Sequence, residues 1–205
     1  IAGLSLGLTP NRIDFPVPPP DFSAIEVPAL ICGSWSAQGL HSRGAFIGFE
    51  KIASQHKHLY THGRHEWTVS NSSDALEFQR KFYEQYLRDN DQKLPTVRLE
   101  VRQSLEEHTV RYEDAFPLSS ATPTPFFLDA STQTLGPVPP VGEATASYDS
   151  TSATDGLTFR HTFTEDTEIT GPMALRCFMS TDQGFDIDLF VGLRKFDANN
   201  CEVEF

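Results

Sequence analysis

The chain of 205 residues is 39% hydrophobic and 21% charged, the make-up of an ordinary globular protein rather than a disordered or fibrous one. Its formal net charge of −12, with 16 basic residues that never gather into a run, excludes a nucleic-acid footprint and disfavours an anionic membrane surface. Cys32, Cys177 and Cys201 form an odd, widely spaced set with no C-x-x-C pair, which points to buried free thiols and a cytoplasmic setting.

The opening IAGLSLGL is apolar, but it is too short to span a membrane and lacks the basic flank of a signal peptide. NRIDFPVPPP follows, with four prolines in five positions that forbid helix or central strand, so residues 1–21 are read as an unassigned Pro-rich segment. A start at isoleucine and a close on the strand pattern CEVEF lead us to expect a fragment.

Residues 27–33 (VPALICG) form a continuous apolar run of strand length, as expected of a strand buried on both faces. A turn, SWSAQGLHSRG, leads into 43–53, where Phe46, Phe49, Ile52 and Ala53 recur at helical spacing. Residues 57–61 read as a second strand, and 74–88 as a stronger helix with Phe78, Phe82 and Tyr86 on one stripe and Ser73 as its N-cap. Strand, helix, strand, helix is the order of a parallel crossover unit, in which side chains at the carboxyl ends of the strands face a ligand crevice. Two such strands do not make a stable sheet, so further strands are required.

Beyond Asn90 the period becomes alternating. Residues 96–103, 108–113, 126–130, 157–165, 170–180 and 185–196 are strand candidates, separated by clusters rich in Pro, Gly, Ser and Thr. This pattern predicts an antiparallel sandwich, with a domain boundary near residues 90–94.

The segments IEVPALICGSWS, LYTHG, FQRKFYEQYLRDND, VRLEVR, RYEDAFPL, TPFFLDA and TEITGPMALRCFMSTDQGFDIDLFVGLRKF carry a resemblance in their order and spacing. Over residues 22–205 the chain resembles the later part of the CocE/NonD hydrolases, serine acyl hydrolases related to cocaine esterase and X-prolyl dipeptidyl peptidases. The resemblance implies an α/β plus all-β chain: 22–92 as the carboxyl-terminal part of an α/β-hydrolase domain and 93–205 as a jelly-roll β-sandwich, both incomplete. It also implies a small ester or amide substrate and no cofactor or metal, and leaves oligomeric state open.

Carried over onto this sequence, His62 in LYTHG matches the family's catalytic histidine, whose imidazole serves as general base and then general acid. The family's triad aspartate falls at Ala37. Loss of that carboxylate costs on the order of 10⁴ in rate in a serine triad. Asp14, Asp21 and Glu66 are the candidate replacements. No nucleophile elbow, the strand–Gly-x-Ser-x-Gly–helix turn that presents the serine, is expected in the chain, which by itself should be silent.

Other residues admit both a functional and a bland reading. His56, His58, His62 and His65 fall within ten residues and invite a metal, though without a carboxylate or cysteine among them they read better as solvated. Asp182, Asp186 and Asp188 suggest calcium but alternate with apolar residues as one strand face would. Trp35 and Trp67 either line a pocket or pack on the helix that follows. Gly33, Gly39 and Gly63 read as turn residues. Three functions remain: part of an ester or amide hydrolase, a degenerate binding relative, or an interaction module using the β-region for ligand, glycan or peptide. Exposed apolar strand edges lead to an expectation of self-association.

Overall fold

The computed structural model describes residues 20–37, 41–88, 93–184 and 187–204. Three strands, β1 (Ala29–Ser34), β2 (Lys57–His62) and β3 (Val97–Arg102), run parallel. β4 (His108–Glu113) adds antiparallel to β3, giving the order β1-β2-β3-β4. Helix α1 (Ser42–Lys51) connects β1 to β2; the single turn α2 (Glu66–Val69) and the longer α3 (Ser73–Leu87) connect β2 to β3.

Side chains alternate between the faces of a strand, and the two longer helices divide those faces between them. Phe49 of α1 clusters with Leu59, Val97, Leu99 and Leu118, with Ile31, Trp35 and Phe46 packed alongside. Ala75, Phe78 and Phe82 of α3 cluster with Tyr60 and Leu94, with Leu30 and Tyr86 at the margin. Neighbours in sequence, Leu59 and Tyr60, thus enter different cores, which is why β2 is buried without alternation from His58 to His62. His58 also lies on the α3 side, its ring meeting Phe82 edge-on and Tyr86 at a tilt.

Both helices begin slightly earlier than their periodicity predicts. The N-cap of α3 is Ser72, whose hydroxyl accepts from the Ala75 amide at 3.3 Å, so the expected cap at Ser73 is corrected by one residue. No side chain caps α1; the Ala37 carbonyl instead accepts from the amides of His41 and Ser42, at 2.9 and 3.1 Å. The required further strands are present in part, because β3 extends the β1–β2 pair and β4 extends β3. The segment 89–92, where the change of period begins, lies outside the described residues.

The chain forms two compact units, one taking the chain up to Leu118 and again from Pro172, the other Ser119–Gly171. Within the second, β5 (Phe127–Asp129) pairs antiparallel with β6 (Thr134–Gly136), and Arg160 bridges to Thr134. The His161 ring stands edge-on to Phe126 and Phe163 and donates from Nδ1 to the Leu135 carbonyl at 2.8 Å. In the first unit, β7 (Lys195–Phe196) and β8 (Glu202–Val203) form a short antiparallel pair.

Three expectations are corrected. The candidate strands at 157–165 and 170–180 form no ladder beyond the single Arg160 bridge, and of the 185–196 candidate only the last two residues pair; residues 185 and 186 are not described. Alternation supplies an apolar face, but a strand also needs a neighbour for its backbone groups, and Met173, Phe178 and Phe190 remain exposed. Among the described residues β1 is not buried on both faces: only Gly33 and Ser34 are buried, and β2 is its one neighbour there. The free thiols are likewise not buried, Cys32 and Cys201 being exposed and Cys177 half-buried. Among the described residues no helix is long and apolar enough to cross a membrane.

Candidate functional site

The carboxyl ends of β1, β2 and β3 converge on His62, the last residue of β2. Ser34 pairs with His62 across the β1–β2 ladder, and the Trp35 amide donates to the His62 carbonyl at 2.7 Å. On the other side the register pairs Tyr60 with Arg98. Three hydrogen bonds from β3 then clamp the residues flanking His62. Arg98 Nη1 donates to the Thr61 carbonyl at 2.8 Å, the Glu100 amide donates to Thr61 Oγ1 at 2.8 Å, and Glu100 Oε1 accepts from the Gly63 amide at 2.7 Å.

The turn after His62 is held from β1 as well. Ser34 Oγ donates to the Arg64 carbonyl at 2.9 Å, and Ser36 Oγ donates to the Gly63 carbonyl in a short bond. A Cβ on Gly63 would lie 2.1 Å from Cδ of Arg102, so that side chain would have to move away. At Gly33 the Phe46 ring is 3.1 Å from a would-be Cβ and would have to give by a few tenths of an ångström. Neither glycine has positive φ, so close approach rather than backbone freedom refines their reading as turn residues. Beside this turn opens a cleft of about 380 Å³ lined by Ser36, Gly63, Arg64, His65, Leu105 and Glu106.

His62 itself is 4% exposed, and its Nδ1 is buried and has no hydrogen-bond partner among the described residues. Burial holds its pKa below the usual imidazole value; the Arg64 carbonyl and the Glu100 and Glu66 carboxylates oppose that shift, and Arg98 adds to it. The ring is therefore a neutral base in a partly acidic setting, and such a group can take a proton from a nucleophile.

Comparison with known proteins places this architecture. Residues 90–203 match the family described as the X-Pro dipeptidyl-peptidase C-terminal non-catalytic domain. Two crystal structures of a CocE/NonD family hydrolase from Staphylococcus aureus share 39% identity with the chain at a TM-score of 0.67, over 69% of this chain and 26% of theirs. The chain belongs to the CocE/NonD hydrolase family. It spans about a quarter of the length of those two hydrolases, 26%. No match is found among curated protein sequences.

Within this CocE/NonD chain, the other residues singled out from sequence scatter. Ala37 sits in the turn after β1, where its carbonyl starts α1 and its methyl offers no acceptor; Gln38, Gly39 and Leu40 lie outside the described residues. Asp14 also lies outside them. Asp21 is spent on its own 3-10 turn, accepting from the Ser23 amide and hydroxyl at 3.0 and 2.6 Å, bonds that hold its pKa down. Glu66 opens α2, and its negative charge reaches His62. The residue that sequence reasoning missed is Glu100. Its signal was a carboxylate in VRLEVR, one strand over from LYTHG, and only the β2–β3 register makes the pair visible.

The nucleophile needs a correction too. Gly3-Leu4-Ser5-Leu6-Gly7 satisfies the Gly-x-Ser-x-Gly spacing that was expected to be missing. Spacing is half of that motif; the other half is a strand before the serine and a helix after it. These residues lie outside the described part.

The histidine cluster resolves into separate tasks. His58 Nδ1 donates to the Pro95 carbonyl at 2.8 Å, and Nε2 accepts from the Tyr86 hydroxyl at 2.7 Å, so both nitrogens are used. His65 Nδ1 accepts from the Trp67 amide at the start of α2, and the His56 ring tilts toward Tyr86. Among the described residues no group of three His, Cys, Asp or Glu side chains is placed to hold a metal. Of the calcium candidates, Asp186 is not described. Trp35 packs on α1, stacked 4.6 Å from Phe46, and donates from Nε1 to the Glu100 carbonyl at 2.8 Å; Trp67 is 76% exposed.

A pH dependence follows. Burial lowers the pKa of His58 and of His62, and protonating His58 also removes the acceptor used by Tyr86. The unfolded chain takes up protons at these positions near pH 6.5, before the native state does. Their contribution to stability is complete above about pH 6.5 and is lost as pH falls from there through the lowered native values. Urea midpoints should therefore drop between about pH 7 and pH 5 in wild type and drop less in His58→Gln. A midpoint flat across that range would contradict the neutral, buried assignment.

Proposed function

We propose that this chain is part of a serine acyl hydrolase of the CocE/X-Pro dipeptidyl-peptidase type, cleaving an ester or amide bond of a small molecule, with His62 as its general base. The observation that carries this reading is the placement of His62. It ends a parallel strand, it is neutral with an unbonded Nδ1, and the turn beside it is pinned from both neighbouring strands next to an open cleft. The 22–92 region then belongs to an α/β-hydrolase domain, and 93–205 to a jelly-roll domain, a reading supported by the antiparallel pairs β3–β4, β5–β6 and β7–β8.

In such a reaction the imidazole removes the serine proton as the hydroxyl attacks the carbonyl, and returns it to the leaving alkoxide or amine. Ala37 supplies no carboxylate to orient the ring, and Ser5 has the spacing of an elbow without its context. A second reading, a non-catalytic binding protein that uses the β-region, is favoured by Ala37 and by the non-catalytic description of the family matched by 90–203.

The native polypeptide isolated from its source and treated with a serine-directed fluorophosphonate tests both. The hydrolase reading expects one adduct, formed by wild type and not by folded His62→Gln, with peptide mapping to show whether it sits on Ser5 or elsewhere. Folded polypeptide that takes up no phosphonate would overturn that reading in favour of binding.

A further inference from the structure

We infer that Glu100 is the positioning carboxylate of His62: buried on β3 beneath the turn at the end of β2, it fixes that turn and supplies the negative charge that Ala37 lacks. The placement follows from register. Tyr60 pairs with Arg98 in parallel, and alternation puts His62 on the face of Tyr60 and Glu100 on the face of Arg98, which is the same face of the sheet. The hydrogen bonds agree, since Glu100 is tied through its amide to Thr61 and through Oε1 to Gly63, the residues before and after His62. Its carbonyl accepts from Trp35, so the same residue reaches the β1 turn that holds Ala37.

Glu100 is 7% exposed, and a carboxylate that deep needs compensation. Oε1 has the Gly63 amide, a charge-assisted bond. The cations near Oε2 stand further off, Arg98 Nη1 at 3.9 Å and His108 Nε2 at 3.8 Å. Arg98 is committed elsewhere, with Nη2 2.7 Å from Asp74 Oδ2, Nη1 on the Thr61 carbonyl and its guanidinium over the Tyr60 ring. Part of the Glu100 charge is thus left to act on its neighbour across the sheet. Around the His62 ring, Glu100 of β3 and Glu66 of α2 favour the imidazolium and Arg98 of β3 opposes it; Tyr60 of β2 tilts against the ring at 6.3 Å and binds Asp74 of α3 through its hydroxyl. A carboxylate that does not touch Nδ1 stabilises imidazolium through space, more weakly than a bonded aspartate but without the Ala37 position.

The catalytic meaning of this pair rests on the hydrolase reading; its electrostatics do not. The test is an NMR titration of the His62 ring in wild type, Glu100→Gln and Glu66→Gln, using the full chain. The glutamine keeps an oxygen acceptor for the Gly63 amide and removes the charge, so the His62 midpoint should fall in Glu100→Gln, by more than in Glu66→Gln. A midpoint unchanged in folded Glu100→Gln, or moved more by Glu66→Gln, would overturn the inference. Wild type gives an independent answer if Glu100→Gln does not fold, since the charge of the buried Glu100 is screened by salt far less than that of the more exposed Glu66, and the His62 midpoint should hold between low and high salt. A midpoint that falls with salt as an exposed pair's does would also overturn it. Phosphonate labelling with an unmoved His62 midpoint would leave the hydrolase reading intact and remove Glu100 from it, whereas a lowered midpoint without labelling would do the reverse.

Discussion

Truncating Leu59 to alanine will lower the unfolding free energy of the chain by about 3 kcal/mol, within the 2–5 kcal/mol range of Leu-to-Ala changes in rigid cores. Leu59 is fully buried, and it sits where the core has least freedom to collapse. It lies in β2 with β1 and β3 bonded on either side, and packs with Phe49 of α1 and with Val97 and Leu99 of β3. Val97 and Leu99 cannot advance into the void without disturbing the β3 ladders, so most of the cavity persists. At a typical urea m-value of about 2 kcal/mol/M, the midpoint should fall by roughly 1.5 M. Leu59→Met, which conserves volume, should cost less than about 1.5 kcal/mol. If the alanine variant cost no more than the methionine one, Leu59 would not be at the centre of a packed core.

Arg98→Met should be nearly as costly, at about 2–3 kcal/mol, and its partner Asp74→Asn far less. The asymmetry comes from exposure. Arg98 is buried, its side chain 8% exposed, while the Asp74 side chain is 59% exposed and rehydrates once its partner is gone. Removing the guanidinium deprives the Thr61 carbonyl of a donor, the Tyr60 ring of its cation and the buried Glu100 of a nearby positive charge. Removing the Asp74 charge takes away one partner of Arg98 and leaves the bond to Thr61. Urea unfolding of the two variants decides the matter, and equal losses would mean that the exposed ion pair, rather than the buried anchoring of Thr61, carries the effect. The same comparison bears on function, because Thr61 precedes His62 and its carbonyl is held by Arg98 alone among the side-chain bonds described.

How far the site could be read in advance differs from residue to residue. His62 was legible because an apolar run that stops on a polar residue marks the carboxyl end of a buried strand, and LYTHG has family character besides. The α3 stripe was legible as well: Phe78 and Phe82, four apart, both reach the core, and Tyr86 packs at its edge. Glu100 was not, since nothing local distinguishes a glutamate in VRLEVR that alternates toward solvent from one that faces a helix-covered core. The strands expected at 157–165 and 170–180 failed for the related reason that alternation records a preference for one face and says nothing about a partner strand. Ser5 shows the converse, a spacing present in the letters whose meaning depends on a strand and a helix around it, and it lies outside the described residues.

What the chain's residues determined by themselves is whatever depends on neighbours within a few positions: helix stripes, caps, strand ends, and the histidine at the end of β2. Only the tertiary structure decided that β3 lies beside β2 and that Glu100 therefore ties down the residues on either side of His62. Those outcomes depend on which distant segments meet, and the pairing of β2 with β3 is set by burial of both sheet faces under α1 and α3, a collective choice that no single segment encodes.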